Sequence, residues 1–302
     1  MMAINERKEV IIMDVVLIVL TSILVVIVVG YLLLNLYIKK NFINLKLLYD
    51  VDESKKISIK KNIKYKKNGS NNQLMDIYIP EIENQEENFP AIFFLHGEGI
   101  EKVLKDIKEW SFYTSYGKLA ASKGFVGITF HRSRTNYNFK HNEIVAKDIL
   151  DAVDFVRSNA STYHIDKNRI CIWSFSLGGL YLSLFLKDTP TYIRGLISYY
   201  GLLDVKFKVK KLSEEHNNYQ PENYLPITAD SIPPILIVKA KKDKIRGVNA
   251  SQDHFIKIAD QRHIPYQLIS HSTGGHTFDA LDDNAETTEI ISKTWGFIQK
   301  NL

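Results

Sequence analysis

Residues 169–186 read RICIWSFSLGGLYLSLFL, and this stretch decides the fold. A short apolar run (RICIW) is followed by Ser174-Phe175-Ser176-Leu177-Gly178-Gly179 and then by a second apolar run, LYLSLFL, with helical spacing. A strand that turns sharply into a helix needs small residues two before and two after the turn, because strand and helix nearly touch there. Ser174 and Gly178 meet that need, with Ser174 standing where a glycine is usual. Ser176 would then project from the top of a sheet on a strained backbone, close to the amide dipoles of a helix N-terminus. That is the setting of a nucleophile. A tight turn without chemistry would carry the same local pattern, so the reading depends on what surrounds it.

Outward from this stretch the chain alternates strand-like and helix-like segments. ISIKKNIKY (57–65) and LMDIYI (74–79) alternate apolar and polar residues, as half-exposed strands do. AIFFL (91–95), FVGITF (125–130), ICIW (170–173), GLISY (195–199) and ILIV (235–238) are short continuous apolar runs, the mark of strands covered on both faces, and YQLIS (266–270) completes a set of eight. Helical patterns fall at 111–122, 143–157, 177–186, 248–259 and 286–298. In the second, Ile144, Val145, Ile149, Ala152, Val153 and Val156 share one side. Alternation of this kind implies a mostly parallel eight-stranded sheet with helices on both faces, an α/β domain over residues 57–302. Residues 203–233 are long and weakly patterned, which reads as a cap or lid insertion.

Val15–Ile38 contains no charged residue, and as a helix it would be about 36 Å long, enough to span a hydrocarbon core of ~30 Å with some tilt. Tyr31 and Tyr37 near its end, then Lys39 and Lys40, fit an interfacial belt and a stop. The expectation is an N-terminal tail (1–14), a single transmembrane helix (15–38) touching membrane lipid, and a polar linker (39–56). Arg7 and Lys8 on one flank, against Lys39, Lys40, Lys46, Lys55 and Lys56 on the other, leave the side of the membrane open. The net charge of +5 is mild, and its lysines crowd beside the apolar segment, where they form a solvated linker or attract anionic headgroups. No nucleic-acid-binding motif is present, which argues against a nucleic-acid partner. Cys171 is the one cysteine, which excludes an internal disulfide and a Cys/His metal cluster. Nothing in the sequence indicates the oligomeric state.

A serine nucleophile needs a base, and histidine suits that task near neutral pH. Of nine histidines, His276 sits in STGGHTFD directly after the last strand, where two glycines permit a tight loop. His271, at the strand end, is the rival and faces the core in this reading; Asp279 is expected to point elsewhere. Asp243, after PPILIV, is the candidate acid, giving the chain order Ser176, Asp243, His276. Asp204 is the alternative acid. An oxyanion hole needs two backbone donors. Leu177 N–H is one, and His96-Gly97-Glu98-Gly99 after AIFFL supplies the second at Gly97 or Glu98, with His96 shaping the loop.

LMDIYIP (74–80), HGEG (96–99), GFVGITFHRS (124–133), IWSFSLGG (172–179), PPILIVKAKKD (233–243) and GGHTFD (274–279), in this order, resemble the dienelactone-hydrolase-like and prolyl-oligopeptidase-like branch of the α/β-hydrolase superfamily. The resemblance covers about residues 73 to 300. It implies the α/β-hydrolase fold, a triad of Ser176, Asp243 and His276, and no metal or organic cofactor. The dienelactone hydrolases proper use cysteine at the elbow, where this chain has serine, and there is no room for the β-propeller of the peptidases. The expected activity is hydrolysis of small-molecule carboxylic esters through an acyl-enzyme. A peptidase or acyltransferase on the same triad, and a non-catalytic ligand- or partner-binding protein of the same fold, are the alternatives.

Overall fold

The computed structural model describes residues 2–38, 43–66, 73–81, 87–98, 107–134, 141–208, 217–226 and 232–302. They fall into two compact units, Met1–Asn44 and Leu45–Leu302. The first consists mainly of a helix, α1 (Met2–Ile38). It is longer than the apolar segment alone, because the residues expected as an N-terminal tail continue it. Met2–Asp14 is rich in Glu, Lys, Arg and Met, good helix formers, and has no Gly or Pro to stop the helix. Within α1, Val16–Leu34 has a mean hydropathy of 3.0 and is not buried anywhere in the protein. This one N-terminal helix is long and apolar enough to cross a membrane.

The second unit is built on an eight-stranded sheet: β1 (Ile57–Lys64), β2 (Leu74–Pro80), β3 (Phe89–Leu95), β4 (Val126–Phe130), β5 (Ile165–Phe175), β6 (Ile193–Tyr199), β7 (Ile235–Ala240) and β8 (Gln267–His271). Their order across the sheet is β1-β2-β4-β3-β5-β6-β7-β8. β2 runs antiparallel to β1 and β4, and every other neighbouring pair is parallel. The continuous apolar runs form the central strands, as burial on both faces requires.

Alternate residues of those strands feed two cores. Phe93, Ile172, Leu196 and Ile237 point to one face, covered by α3 (Asn142–Ser158) and α5 (Val248–Gln261). Phe94, Trp173, Ile197 and Val238 point to the other, covered by α2 (Ser111–Ser122) and α7 (Ala285–Asn301). Two short helices, α4 (Ser183–Lys187) and α6 (Phe278–Leu281), lie near the sheet's C-terminal edge. α6 has no counterpart in the sequence pattern, because four residues are too few to show a period. On α3 the apolar stripe is Val145, Ile149, Ala152, Val153 and Val156, whereas Ile144 is 50% exposed and stands off the stripe.

The expected linker is corrected in part. Leu45, Leu47, Tyr49 and Val51 recur at every second position and pack on the second core, with Leu47 buried. Leu48 N–H donates to Asp279 O at 2.7 Å. Residues 39–42, with Lys39 and Lys40, lie outside the described residues, as do Gly99 and, within the expected insertion, residues 209–216 and 227–231.

Candidate active site

β5 ends at Phe175, and the chain turns at Ser176 with φ +51°, in the left-handed region that a non-glycine residue occupies only when its surroundings hold it there. A tight 3-10 turn, Ser176–Leu182, follows and leads into α4, so the expected continuous helix over 177–186 begins as a narrower coil. Leu202 N–H donates to Ser176 O at 2.8 Å, tying the turn to the segment after β6. The need for small residues is visible atom by atom. A Cβ on Gly178 would lie 2.5 Å from Leu95 O and 3.0 Å from His96 O. Ser174 is tolerated at the other small position because its hydroxyl donates to Ile197 O at 2.8 Å across the sheet.

His276 lies on the loop between β8 and α6. Its Nε2 is 3.0 Å from Ser176 Oγ and its Nδ1 is 2.6 Å from Asp243 Oδ2. In the arrangement these distances favour, Ser176 donates to Nε2 and Nδ1–H donates to the carboxylate. The Asp243 side chain is fully buried, and its Oδ1 accepts from Ile245 N–H at 2.8 Å. Two backbone bonds join the acid and histidine loops: Lys241 N–H to His271 O at 3.0 Å and Lys242 N–H to Gly274 O at 2.9 Å. The two loop glycines differ in their reasons. A Cβ on Gly274 would strike the His271 ring at 2.5 Å, whereas one on Gly275 meets nothing within 4 Å.

On the other side of Ser176 stands Gly97, where a Cβ would lie 2.8 Å from Ser176 Cβ. Leu177 N–H belongs to the first amides of a helical turn, which have no carbonyl ahead of them and are free for an incoming anion. Glu98 enters through its side chain: Arg132 Nη1 donates to Glu98 Oε1 at 2.9 Å and Nη2 donates to His96 O at 3.0 Å. A peptide unit is planar and trans, so a guanidinium that holds His96 O also fixes the direction of Gly97 N–H. The His96 Nδ1 is 2.7 Å from Gly97 O, and burial, then the Arg132 charge, push this imidazole well below its usual range. His96 therefore stays neutral and serves the loop's shape.

The remaining candidates are elsewhere. His271 is fully buried; its Nδ1 accepts from Gly274 N–H at 2.8 Å and its Nε2 is 2.9 Å from Thr287 Oγ1. Asp204 follows β6, is fully buried, and binds Lys206 Nζ at 2.5 Å through Oδ2. It forms a cluster with Glu222 and His254 whose ligand atoms lie within 4.8 Å of one another, a spacing that could hold a metal ion. The Lys206 ammonium already stands in that cluster, 2.7 Å from His254 Nε2, and supplies its positive charge. Burial and then Asp204 push the Glu222 carboxyl far above the carboxylate range. Sequence reading passed over Arg132, whose signal was the HRS after β4 beside the HGEG loop, and Tyr200, which packs on the imidazole with ring centroids 4.7 Å apart.

Solved structures share this arrangement of strands and helices. The chain matches esterase B from Lactobacillus rhamnosus strain HN001 (13% identity, 83% of this chain and 87% of that one) with a TM-score of 0.62. The chain has the α/β-hydrolase fold. A carbohydrate esterase from gut microbiota, in truncated form, aligns at 17% identity over 83% of this chain and 98% of that one, with a TM-score of 0.62. The structure described as a putative dipeptidyl aminopeptidase IV from Bacteroides ovatus aligns at 15% identity and a TM-score of 0.62, covering 82% of this α/β-hydrolase-fold chain but 36% of the larger one. The BD-FAE family model matches residues 75–189, from β2 through the elbow to just past α4. No curated protein sequence matches the chain.

Proposed function

We propose that the chain is a membrane-anchored serine hydrolase that cleaves carboxylic esters, with Ser176 as nucleophile, His276 as base and Asp243 as its orienting acid. The observation that carries this is the pair of contacts made by one imidazole, 3.0 Å to Ser176 Oγ and 2.6 Å to Asp243 Oδ2. His276 Nε2 takes the hydroxyl proton as Ser176 Oγ attacks the ester carbonyl. Leu177 N–H and an N–H of the Gly97–Glu98 segment receive the developing oxyanion. The tetrahedral intermediate collapses as His276 returns the proton to the departing alkoxide, leaving an acyl-enzyme and a free alcohol. Water, deprotonated by His276, then attacks the acyl carbon and releases the acid.

The match to the BD-FAE model and the neighbours described as esterases support ester over amide cleavage. A structure of the Lactobacillus enzyme is described as inhibited by a tributyrin phosphonate, which favours short acyl chains as the first substrates to try. Residues 15–38 would hold the enzyme at the lipid surface, as the apolarity of Val16–Leu34 supports. Full-length protein in detergent, assayed on p-nitrophenyl acetate, butyrate and octanoate beside Ser176→Ala, tests the activity. The reading requires turnover of at least one ester, abolished in the variant; equal rates in both proteins would end it. Alkaline carbonate washing of membranes and the mass of the N-terminal peptide test the anchor, since a cleaved leader would leave no residue before about position 38.

A further inference from the structure

A second carboxylate lies beneath the histidine loop, and the proton transfer between Ser176 and His276 makes no direct use of it. Asp279 is fully buried. Its Oδ2 accepts from Tyr116 OH at 2.5 Å and its Oδ1 from Tyr200 OH at 2.9 Å. Burying a carboxylate with two neutral hydroxyls for company is costly even in the first turn of a helix, where an acid is otherwise favoured. Burial pushes the Asp279 carboxyl up to about 6, against the pull of the two hydroxyls and of the His276 charge. Tyr200 connects this group to the site. Its ring lies 4.7 Å from the His276 imidazole and 6.2 Å from the ring of Phe175, the residue before Ser176. Tyr200 (φ +37°), Thr277 (φ +63°) and Ser176 (φ +51°) all have left-handed backbones, so three of the strained residues of the chain meet around one imidazole.

Resting on the serine-hydrolase reading, we propose that Tyr200 and Asp279 are positioning residues for His276: the tyrosine ring, tethered through its hydroxyl to the buried carboxylate, fixes the imidazole plane, and the carboxylate adds a second negative charge that favours the imidazolium formed during acyl transfer. The titratable groups around the pair come from several elements, including His271, whose ring packs on Phe278 beside Asp279 with centroids 4.9 Å apart, and Tyr49 on the segment whose Leu48 N–H donates to Asp279 O. Tyr113 and Tyr116 face it from α2, Tyr199 and Tyr200 from the end of β6, and His276 from its own loop, with Asp243 on the far side of the imidazole. Those tyrosines are held neutral by burial, so none of them adds a charge beside Asp279.

The test uses the full-length chain and two substitutions, Asp279→Asn and Tyr200→Phe, each nearly isosteric. Asp279→Asn should move the acid limb of the kcat/KM profile to lower pH by roughly 0.5 to 1.5 units, because the imidazolium loses a neighbouring charge. Tyr200→Phe keeps the ring contact but cuts the tether, and should lower kcat by about tenfold with KM within twofold, as expected of a misaligned base. The His276 Cε1–H resonance, assigned by its loss in His276→Asn, gives the same titration without turnover. An inactive wild type would therefore overturn the esterase reading, while the NMR titration would still decide the inference. If Asp279→Asn fails to fold, Tyr200→Phe is judged alone. Folded variants with an unchanged acid limb, an unchanged histidine titration and wild-type kcat would overturn the proposal.

Discussion

Gly97→Ala concentrates the account of the candidate site in a single methyl group. The added Cβ would lie 2.8 Å from Ser176 Cβ, 3.2 Å from Phe175 O and 3.4 Å from Ser176 Oγ. Two carbons rest at about 3.5–4.0 Å, so the new contact must open by roughly 0.7 Å or more. Ser176 cannot supply that movement, because its left-handed backbone is fixed by the turn and its oxygen is engaged by His276. The HGEG segment must move instead, and with it Gly97 N–H. A displacement of about 1 Å costs on the order of 10²-fold in rate, and loss of one oxyanion donor costs about 10²–10³-fold, or roughly 2.7–4 kcal/mol of transition-state stabilisation. Overpacking by one methyl destabilises a fold by only about 1–3 kcal/mol, which for a domain of this size lowers Tm by roughly 2–10 °C. The expected signature is a fall in kcat of about a hundredfold or more in a protein that still folds, with KM little changed, measured on p-nitrophenyl butyrate together with a thermal melt. A folded variant with kcat within threefold of wild type would refute the placement of Gly97 against the nucleophile.

Further predictions separate the groups around the site. Asp243→Asn should lower kcat by about 10³–10⁴-fold, because the imidazole loses the acceptor that sets its tautomer. Asp204→Asn should lower Tm yet leave kcat within about fivefold, since Asp204 is engaged by Lys206; equal losses in the two variants, read by steady-state kinetics, would reverse the choice of acid. Glu222→Gln should stabilise the protein at neutral and higher pH and have no effect at acid pH. The folded-state carboxyl is raised above its unfolded value by burial and Asp204, so the stability it gives when protonated is lost as pH rises through that range, and an amide has no such loss. Melting curves from pH 4.5 to 9 check this, and a constant difference between the proteins would contradict it. Gly274→Ala should damage folding or activity by forcing a methyl against the His271 ring, whereas Gly275→Ala should leave Tm within about 2 °C, as expected where an added Cβ meets open space.

The architecture was legible because its signals are local. RICIW and the other apolar runs name central strands by themselves, and the eight expected strands fall on β1 to β8 with ends differing by a few residues. Ser176, Asp243 and His276 could be nominated because each stands at the end of such a run, and the structure brings their side chains within hydrogen-bond reach. What escaped reading is tertiary. Arg132 matters only because β4 and β3 are neighbours in the sheet, which places it beside His96 and Glu98. Asp279 was expected to point away from His276; it does turn from the imidazole, but into a pocket made by Tyr116 and Tyr200, 163 and 79 positions earlier in the chain. The packing of Leu45, Leu47, Tyr49 and Val51 was masked because the segment is short, carries Lys46 and Asp50, and forms no strand or helix whose period could mark it. α1 extends to Met2 because helix propensity, unlike hydropathy, does not end at the first charged residue.

The central claim is that Ser176 Oγ is an activated nucleophile. Reaction of the full-length chain with a fluorophosphonate, followed by digestion and mass spectrometry, tests it most directly. One phosphonylated peptide carrying the adduct on Ser176 is expected, formed at neutral pH and lost in His276→Ala. Labelling at another residue, or undiminished labelling of Ser176 in His276→Ala, would contradict it.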